Sequence, residues 1–183
     1  MRMIIKIIKR GIMLFNYIRY AVKGNSIGFD VEIGKNVHLR QCKIGAHSYI
    51  GNNSVINDTE IGAYCSIAPG VQIGGMEHSI WKTSTNTHLS DDCISGNITH
   101  IGADVWIAAS SVIKQGVTIG QGAVVGANSF VNKDIPPYAI VVGSPAKIIK
   151  YRFNQEIIKK LIDSEYWKLS PSKAKDILSL IDN

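Results

Sequence analysis

The chain has few cysteines, few prolines, little charge and no long uninterrupted apolar run. Its three cysteines, Cys42, Cys65 and Cys93, form an odd set without C-x-x-C spacing. That pattern argues against a disulfide scaffold or a structural zinc site and fits the reducing cytoplasm. Charged residues make up only 19% of the 183 positions and hydrophobic ones 45%, a globular rather than disordered composition. No phosphate-cradling or dinucleotide-binding glycine pattern is present. Basic residues interleaved with aromatics and zinc-finger spacings are missing too, so a nucleic-acid partner is not expected. Residues 1–23 are apolar but punctured by Lys6, Lys9, Arg10 and Arg19, short of the roughly 18–20 unbroken residues a spanning helix needs. They also lack an apolar stretch followed by a small-residue cleavage site. Two readings of this segment stand: a helix that caps the main domain or packs at a subunit interface, or a basic amphipathic helix on the inner membrane face. The net charge of +6 favours an anionic ligand or surface.

What the chain does have is glycine and a repeat. Residues 27–43 read IGFDVEIGKNVHLRQCK, residues 44–60 read IGAHSYIGNNSVINDTE, and the next unit opens IGAYCSIAPGVQIG. Aliphatic residues recur every five or six positions from Ile33 through Leu39, Ile44, Ile50, Ile56, Ile61, Ile67 and Ile73. After a break they resume at Ile101, Ile107, Ile113, Ile119, Val125 and Val131, now at a strict six. The period is too long for a helix and too regular for loops. It predicts a parallel β-helix with three short faces per coil, the aliphatic head pointing inward and the small residue after it turning the corner. Polar positions between heads face water. The open ends need covering, and residues 154–167 and 171–182 read as covering helices, the second opened by Ser170-Pro171. The chain thus divides into an N-terminal cap (1–26), a β-helix domain (27–150) with an excursion at 79–98, and C-terminal helices (151–183).

Several motifs resemble one family closely. IGAYCSIAPGVQIGGMEH, residues 61–78, resembles the segment of the left-handed β-helix acyltransferases that leads to a catalytic histidine at an extended loop. The stretch from IGADVWIAAS to VVGSPAKIIKYRF resembles the cofactor half of the same family. QEIIKKLIDSEYWKLSP resembles the C-terminal helix of its xenobiotic branch, which includes chloramphenicol and streptogramin acetyltransferases and many sugar O-acetyltransferases. The resemblance implies a left-handed coil, acetyl-coenzyme A as acyl donor without a metal, and a homotrimer.

His78 ends the last hexapeptide before the excursion. Activating a hydroxyl for attack on a thioester needs a base near neutrality, which histidine supplies. From spacing alone an exposed, idle histidine is the alternative; the resemblance selects the catalytic role. Glu60, which ends the preceding coil, and Glu77 are candidates to orient His78, with a backbone carbonyl as the alternative. In the loop, Trp81, Thr83, Ser84, Thr85, Asn86 and His88 offer an aromatic face and hydrogen-bonding groups suited to a sugar. They equally fit a polar loop with one packing tryptophan. By resemblance, Ala109 and Ala127, stacked one coil apart, would let the pantetheine arm run close to the backbone, and Trp106 would wall the cleft. Lys147 and Arg152, with Lys133 and Lys114 behind them, would meet phosphates. Structural corner residues and solvated charges are the alternatives. Cys65 is expected to face inward, which disfavours an acyl-enzyme.

These residues point to an O-acetyltransferase acting on a sugar hydroxyl of a surface polysaccharide or its precursor. Antibiotic O-acetylation and N-acetylation of a nucleotide-linked amino sugar are the enzymatic alternatives. A zinc hydratase on the same coil needs three gathered histidines, and a non-catalytic scaffold predicts no thioester turnover.

Overall fold

The computed structural model describes residues 20, 24–90, 93–94 and 96–182, with residues 93 and 94 as backbone alone. The expected N-terminal helix lies outside these apart from Tyr20, whose buried ring closes the first coil and whose hydroxyl donates to the Val37 carbonyl.

Short parallel strands stack into three faces. Face A holds β1 (Ser26–Ile27), β4 (Lys43–Ile44), β7 (Thr59–Ile61), β12 (Thr99–Ile101) and β15 (Thr118–Ile119). Face B holds β2 (Glu32–Ile33), β5 (Tyr49–Ile50), β8 (Ser66–Ile67), β13 (Trp106–Ile107) and β16 (Val124–Val125), closed by β18 (Ala139–Val142) and the antiparallel edge strand β19 (Lys147–Tyr151). Face C holds β3 (His38–Arg40), β6 (Val55–Asn57), β9 (Gln72–Ile73), β14 (Val112–Ile113) and β17 (Phe130–Val131). This is the left-handed β-helix that the repeat and its resemblance led us to expect. Heads stack on heads: Ile27 on Ile44 and Ile44 on Ile61, and across the break Ile61 on Ile101. From Ile50 upward, heads such as Ile56, Ile67, Ile107 and Ile113 are fully buried.

Two details differ from the sequence reading. The residue two before each head is also buried. Cys42 and Cys65 sit there, as do the serines Ser48, Ser54, Ser111 and Ser129. Their hydroxyls are satisfied by the backbone, for example Ser48 donating to Gly62 O at 3.0 Å, so these polar residues face the core rather than water. The corner itself is made three residues after the head, where Asp30, Asn36, His47, Asn53, Tyr64, Asp104, Ser110 and Asn128 take positive φ. The glycine just after the head serves close approach instead. A Cβ on Gly45 would stand 2.4 Å from the Gly62 backbone of the next coil.

The C-terminal helices pack along the corner between faces A and B, beside Tyr64 and Asp104 of successive coils, and not across an open end as the repeat led us to expect. Helix α1 (Gln155–Ser164) starts at Asn154, whose side chain accepts from Ile157 N, and α2 (Pro171–Asp182) follows a 3-10 turn at Tyr166–Lys168. Tyr138, Ile158, Leu161, Tyr166 and Ala174 form the buried cluster beneath them. Two hydrogen bonds tie these helices to the coils: Tyr64 OH donates to Leu169 O at 2.6 Å, and Tyr166 OH to Asp104 Oδ2 at 2.7 Å.

Candidate active site

The coil leaves its ladder at Gly74, earlier than the repeat suggested. His78 lies on β10 (Glu77–His78), which pairs antiparallel with β11 (Cys93–Ile94), so Glu77 faces Ile94 and His78 faces Cys93. The histidine therefore stands on a two-stranded stem at the corner between faces C and A, rather than on the solenoid ladder itself. Its side chain is exposed, while the next residue, Ser79, is buried, its hydroxyl without a hydrogen-bond partner among the described residues.

One contact fixes the His78 ring. Nδ1 lies 2.6 Å from the Thr85 carbonyl oxygen. A carbonyl only accepts, so Nδ1 carries the proton and donates it. Nε2 is then left with a free lone pair. That tautomer can take a proton from a hydroxyl.

The two carboxylates expected to orient His78 are elsewhere. Glu60 sits on face A between Lys43 (2.6 Å) and His100 (3.5 Å), and Lys43 beside it holds its carboxyl below the usual glutamate range. Glu77 points to the opposite side of β10 from His78 and pairs with Lys114 at 3.3 Å. The orienting group is the backbone carbonyl of Thr85, which carries no side-chain signature for sequence reasoning to find.

The loop candidates divide in the same way. Ser84 Oγ accepts from Asn86 N at 3.1 Å, and Asn86 Oδ1 accepts from His88 N at 2.8 Å. Both side chains thus shape the turn that presents the Thr85 carbonyl. Trp81 is 68% exposed, as are its neighbours Ile80 (83%) and, further on, Leu89 (77%).

On the corner between faces B and C, Ala109 and Ala127 stack as expected, with Asn128 N donating to Ala109 O at 3.0 Å. Lys147 opens β19 opposite Val142, continuing that edge one coil further. Trp106 is half exposed in the outer row of face B, between Ser66 and Val124. Lys133 is exposed just past β17, on the edge toward His78. Arg152 is on the far side. Its Nη1 donates to Gly122 O at 2.7 Å and lies 3.4 Å from Asp104 Oδ2, with its guanidinium over the Tyr138 and Phe153 rings. These contacts tie its guanidinium to the A–B corner and to the rings beneath the C-terminal helices. Cys65 faces inward, its Sγ 3.0 Å from Gly102 O, and burial pushes its thiol up to about 12, which rules out a ready thiolate. Among the described residues no three histidine, cysteine or carboxylate side chains gather as a metal site, and no helix is long and apolar enough to cross a membrane.

Comparison with known proteins places this arrangement. Residues 26–58, 42–75 and 98–133 match the family described as bacterial transferase hexapeptide (six repeats). The chain is similar to a chloramphenicol acetyltransferase of Klebsiella aerogenes, 38% identical over 136 residues, covering 66% of this chain and 64% of that protein. The match thus spans less than two thirds of the relative's length. Among solved structures, a hexapeptide-repeat acetyltransferase of Vibrio cholerae complexed with acetyl-coenzyme A is 32% identical, with TM-score 0.63, covering 76% of this chain and 79% of that one. A maltose O-acetyltransferase of Clostridium difficile is 31% identical, with TM-score 0.62 and 70% of each chain covered. Repeat, coil and relatives agree: the chain belongs to the family of bacterial hexapeptide-repeat transferases.

Proposed function

We propose that this protein transfers acetyl from acetyl-coenzyme A to a hydroxyl of a saccharide, with His78 as general base. The observation that carries the reading is the hydrogen bond from His78 Nδ1 to Thr85 O, which sets the tautomer and turns Nε2 outward. Nε2 takes the hydroxyl proton as the alkoxide oxygen attacks the thioester carbonyl. The tetrahedral intermediate collapses with cleavage of the carbon–sulfur bond, and the thiolate takes the proton back from the imidazolium. In this reading transfer is direct, and Cys42 and Cys65 are both buried, unsuited to carry an acyl group.

The donor fits the corner of Ala109 and Ala127, with Lys147 at its end to meet phosphate charge. That corner and His78 lie on opposite edges of face C, roughly 16–20 Å apart for five or six extended residues. One subunit does not bring them together. The outer row of face C carries half-exposed Val55 and Val112, with Phe130 beside them. Such a face suits contact between copies, and a homotrimer would set one subunit's His78 against the next one's alanine corner.

Lys147 and Arg152 make this testable. Lys147→Ala raises KM for acetyl-coenzyme A about fivefold, equivalent to about 1 kcal/mol of lost phosphate contact, and leaves Tm unchanged. Arg152→Ala does the reverse, lowering stability by about 1–3 kcal/mol with KM within about twofold. Steady-state kinetics and thermal unfolding on both variants read the difference, and a large KM effect in Arg152→Ala would return that residue to the donor site.

A second reading has one observation in its favour. Ile80, Trp81 and Leu89 form an exposed apolar set on the excursion, which suits a hydrophobic antibiotic acceptor as well as a sugar ring face. Acetyl-coenzyme A turnover over mono- and oligosaccharides, nucleotide-linked sugars and hydroxylated antibiotics decides between them. The saccharide reading predicts kcat/KM at least about tenfold higher for sugars than for antibiotics.

A further inference from the structure

The chain is sharply divided in charge. Of its 20 lysines and arginines, six lie in residues 1–23: Arg2, Lys6, Lys9, Arg10, Arg19 and Lys23. None of its 14 acidic residues does, so residues 24–183 are neutral overall and the net +6 belongs to this segment. In the coil and the C-terminal helices, cations sit against carboxylates. Arg40 pairs with Asp58, Lys43 with Glu60, Lys114 with Glu77 and Arg152 with Asp104, and three more pairs lie between Glu156 and Lys168. Residues 1–23 hold no carboxylate that could do the same. At helical spacing, Ile4, Ile7, Ile8, Leu14, Phe15 and Ile18 share one face, while Arg2, Lys6, Lys9 and Arg10 share the opposite one. Arg2, Lys6 and Arg10 follow one another at i,i+4, a like-charge row that weakens a helix in water. An anionic surface relieves that repulsion. A helix that only covered a coil end would gain nothing from it. The cations also leave no unbroken apolar run long enough to span a bilayer, so the segment suits the interface plane.

The described residues fix where this segment joins the solenoid. Tyr20 is buried in the first coil, its hydroxyl donating to Val37 O at 3.1 Å and its carbonyl accepting from Asn25 Nδ2 at 3.1 Å. Residues 1–19 therefore attach at the N-terminal end of the coil stack. The same first coil carries Phe29, 76% exposed and the most exposed aromatic ring among the described residues. In the homotrimer proposed above, threefold symmetry sets three such ends side by side, and three linked anchors bind far more tightly than one. We infer that residues 1–19 and the coil end carrying Phe29 dock on an anionic lipid bilayer, with the solenoid standing end-on to it. The inference does not rest on the saccharide reading, since lipid binding is measured without turnover.

Co-sedimentation of the whole protein with vesicles of phosphatidylcholine, with and without phosphatidylglycerol, tests it. Binding to the anionic vesicles is expected to be at least about tenfold tighter than to the neutral ones, and to weaken as salt is raised. The combined variant Lys6→Gln, Lys9→Gln, Arg10→Gln removes three cations and keeps the apolar face. It is expected to weaken anionic binding at least about thirtyfold. Ile8→Asp interrupts the apolar face and is expected to weaken binding at least about tenfold, and Phe29→Ser at least about threefold. All three variants are expected to keep the unfolding midpoint of the wild type and its assembly mass by light scattering. No binding to either kind of vesicle overturns the inference. So does equal binding to both, because the basic face would then play no part. A lowered midpoint in Ile8→Asp with vesicle binding intact overturns it in favour of a segment that covers the coil end. Unchanged binding in Phe29→Ser overturns the end-on placement.

Discussion

His78→Ala loses at least about 10²-fold in turnover, the usual span for removal of a general base, while its unfolding midpoint stays with the wild type. The reasoning joins two observations. The ring is exposed and makes its contact with a loop carbonyl, so little packing is lost with it. In the proposed mechanism its Nε2 is the proton acceptor, so the alcohol loses its activation. His78→Gln is the sharper control, since an amide restores a polar side chain but not a base. Turnover above about a tenth of wild type in either variant would remove His78 from the mechanism. A scaffold without catalysis predicts no turnover in any of the three proteins.

Gly74→Ala is expected to damage both stability and activity. Gly74 has φ +68°, and a Cβ there would stand 2.1 Å from the Asn57 carbonyl oxygen of the coil below. Backbone strain of this kind costs about 1–3 kcal/mol, and forcing an atom into a filled site adds about 1–3 kcal/mol more, so a loss of about 2–6 kcal/mol is expected by chemical denaturation. The clash is against backbone, which cannot swing aside. The chain must therefore shift where the stem begins, four residues before His78. A displacement near 1 Å at a catalytic group costs about 10²-fold, so kcat should fall well beyond what the stability change explains under conditions where the variant is still folded. Gly75 has nothing within 4 Å of an added Cβ, although its φ of +116° is strained for other residues. Gly75→Ala should therefore be milder than Gly74→Ala. Equal effects at the two positions would show that backbone strain alone, and not the contact with Asn57, sets the joint.

Much of this molecule is written locally. The Ile-Gly heads are legible because one residue type recurs at the spacing of one face, and stacking like on like in successive coils is the way to bury them all. The break in the repeat is legible for the same reason, and with it His78. The C-terminal helices announce themselves through apolar spacing and the Ser170-Pro171 start.

The remainder depends on what meets in space. A buried serine such as Ser111 reads as a surface residue until the coil above supplies Gly126 O as its partner. Arg152 reads as a free cation near the end of a cofactor motif, yet thirty residues earlier in the chain Gly122 O claims it, with Asp104 and two rings. Glu60 reads as a neighbour of His78 because both end coils, but the strand ladder sets it between Lys43 and His100. The amino-acid sequence by itself determined the coil, its interruption and the histidine at the joint, because repetition fixes which side chains share a face. Only the tertiary structure decided what holds that histidine. The Thr85 carbonyl is a backbone atom that every residue possesses, and it becomes an orienting group solely because the excursion folds it back to within 2.6 Å of Nδ1.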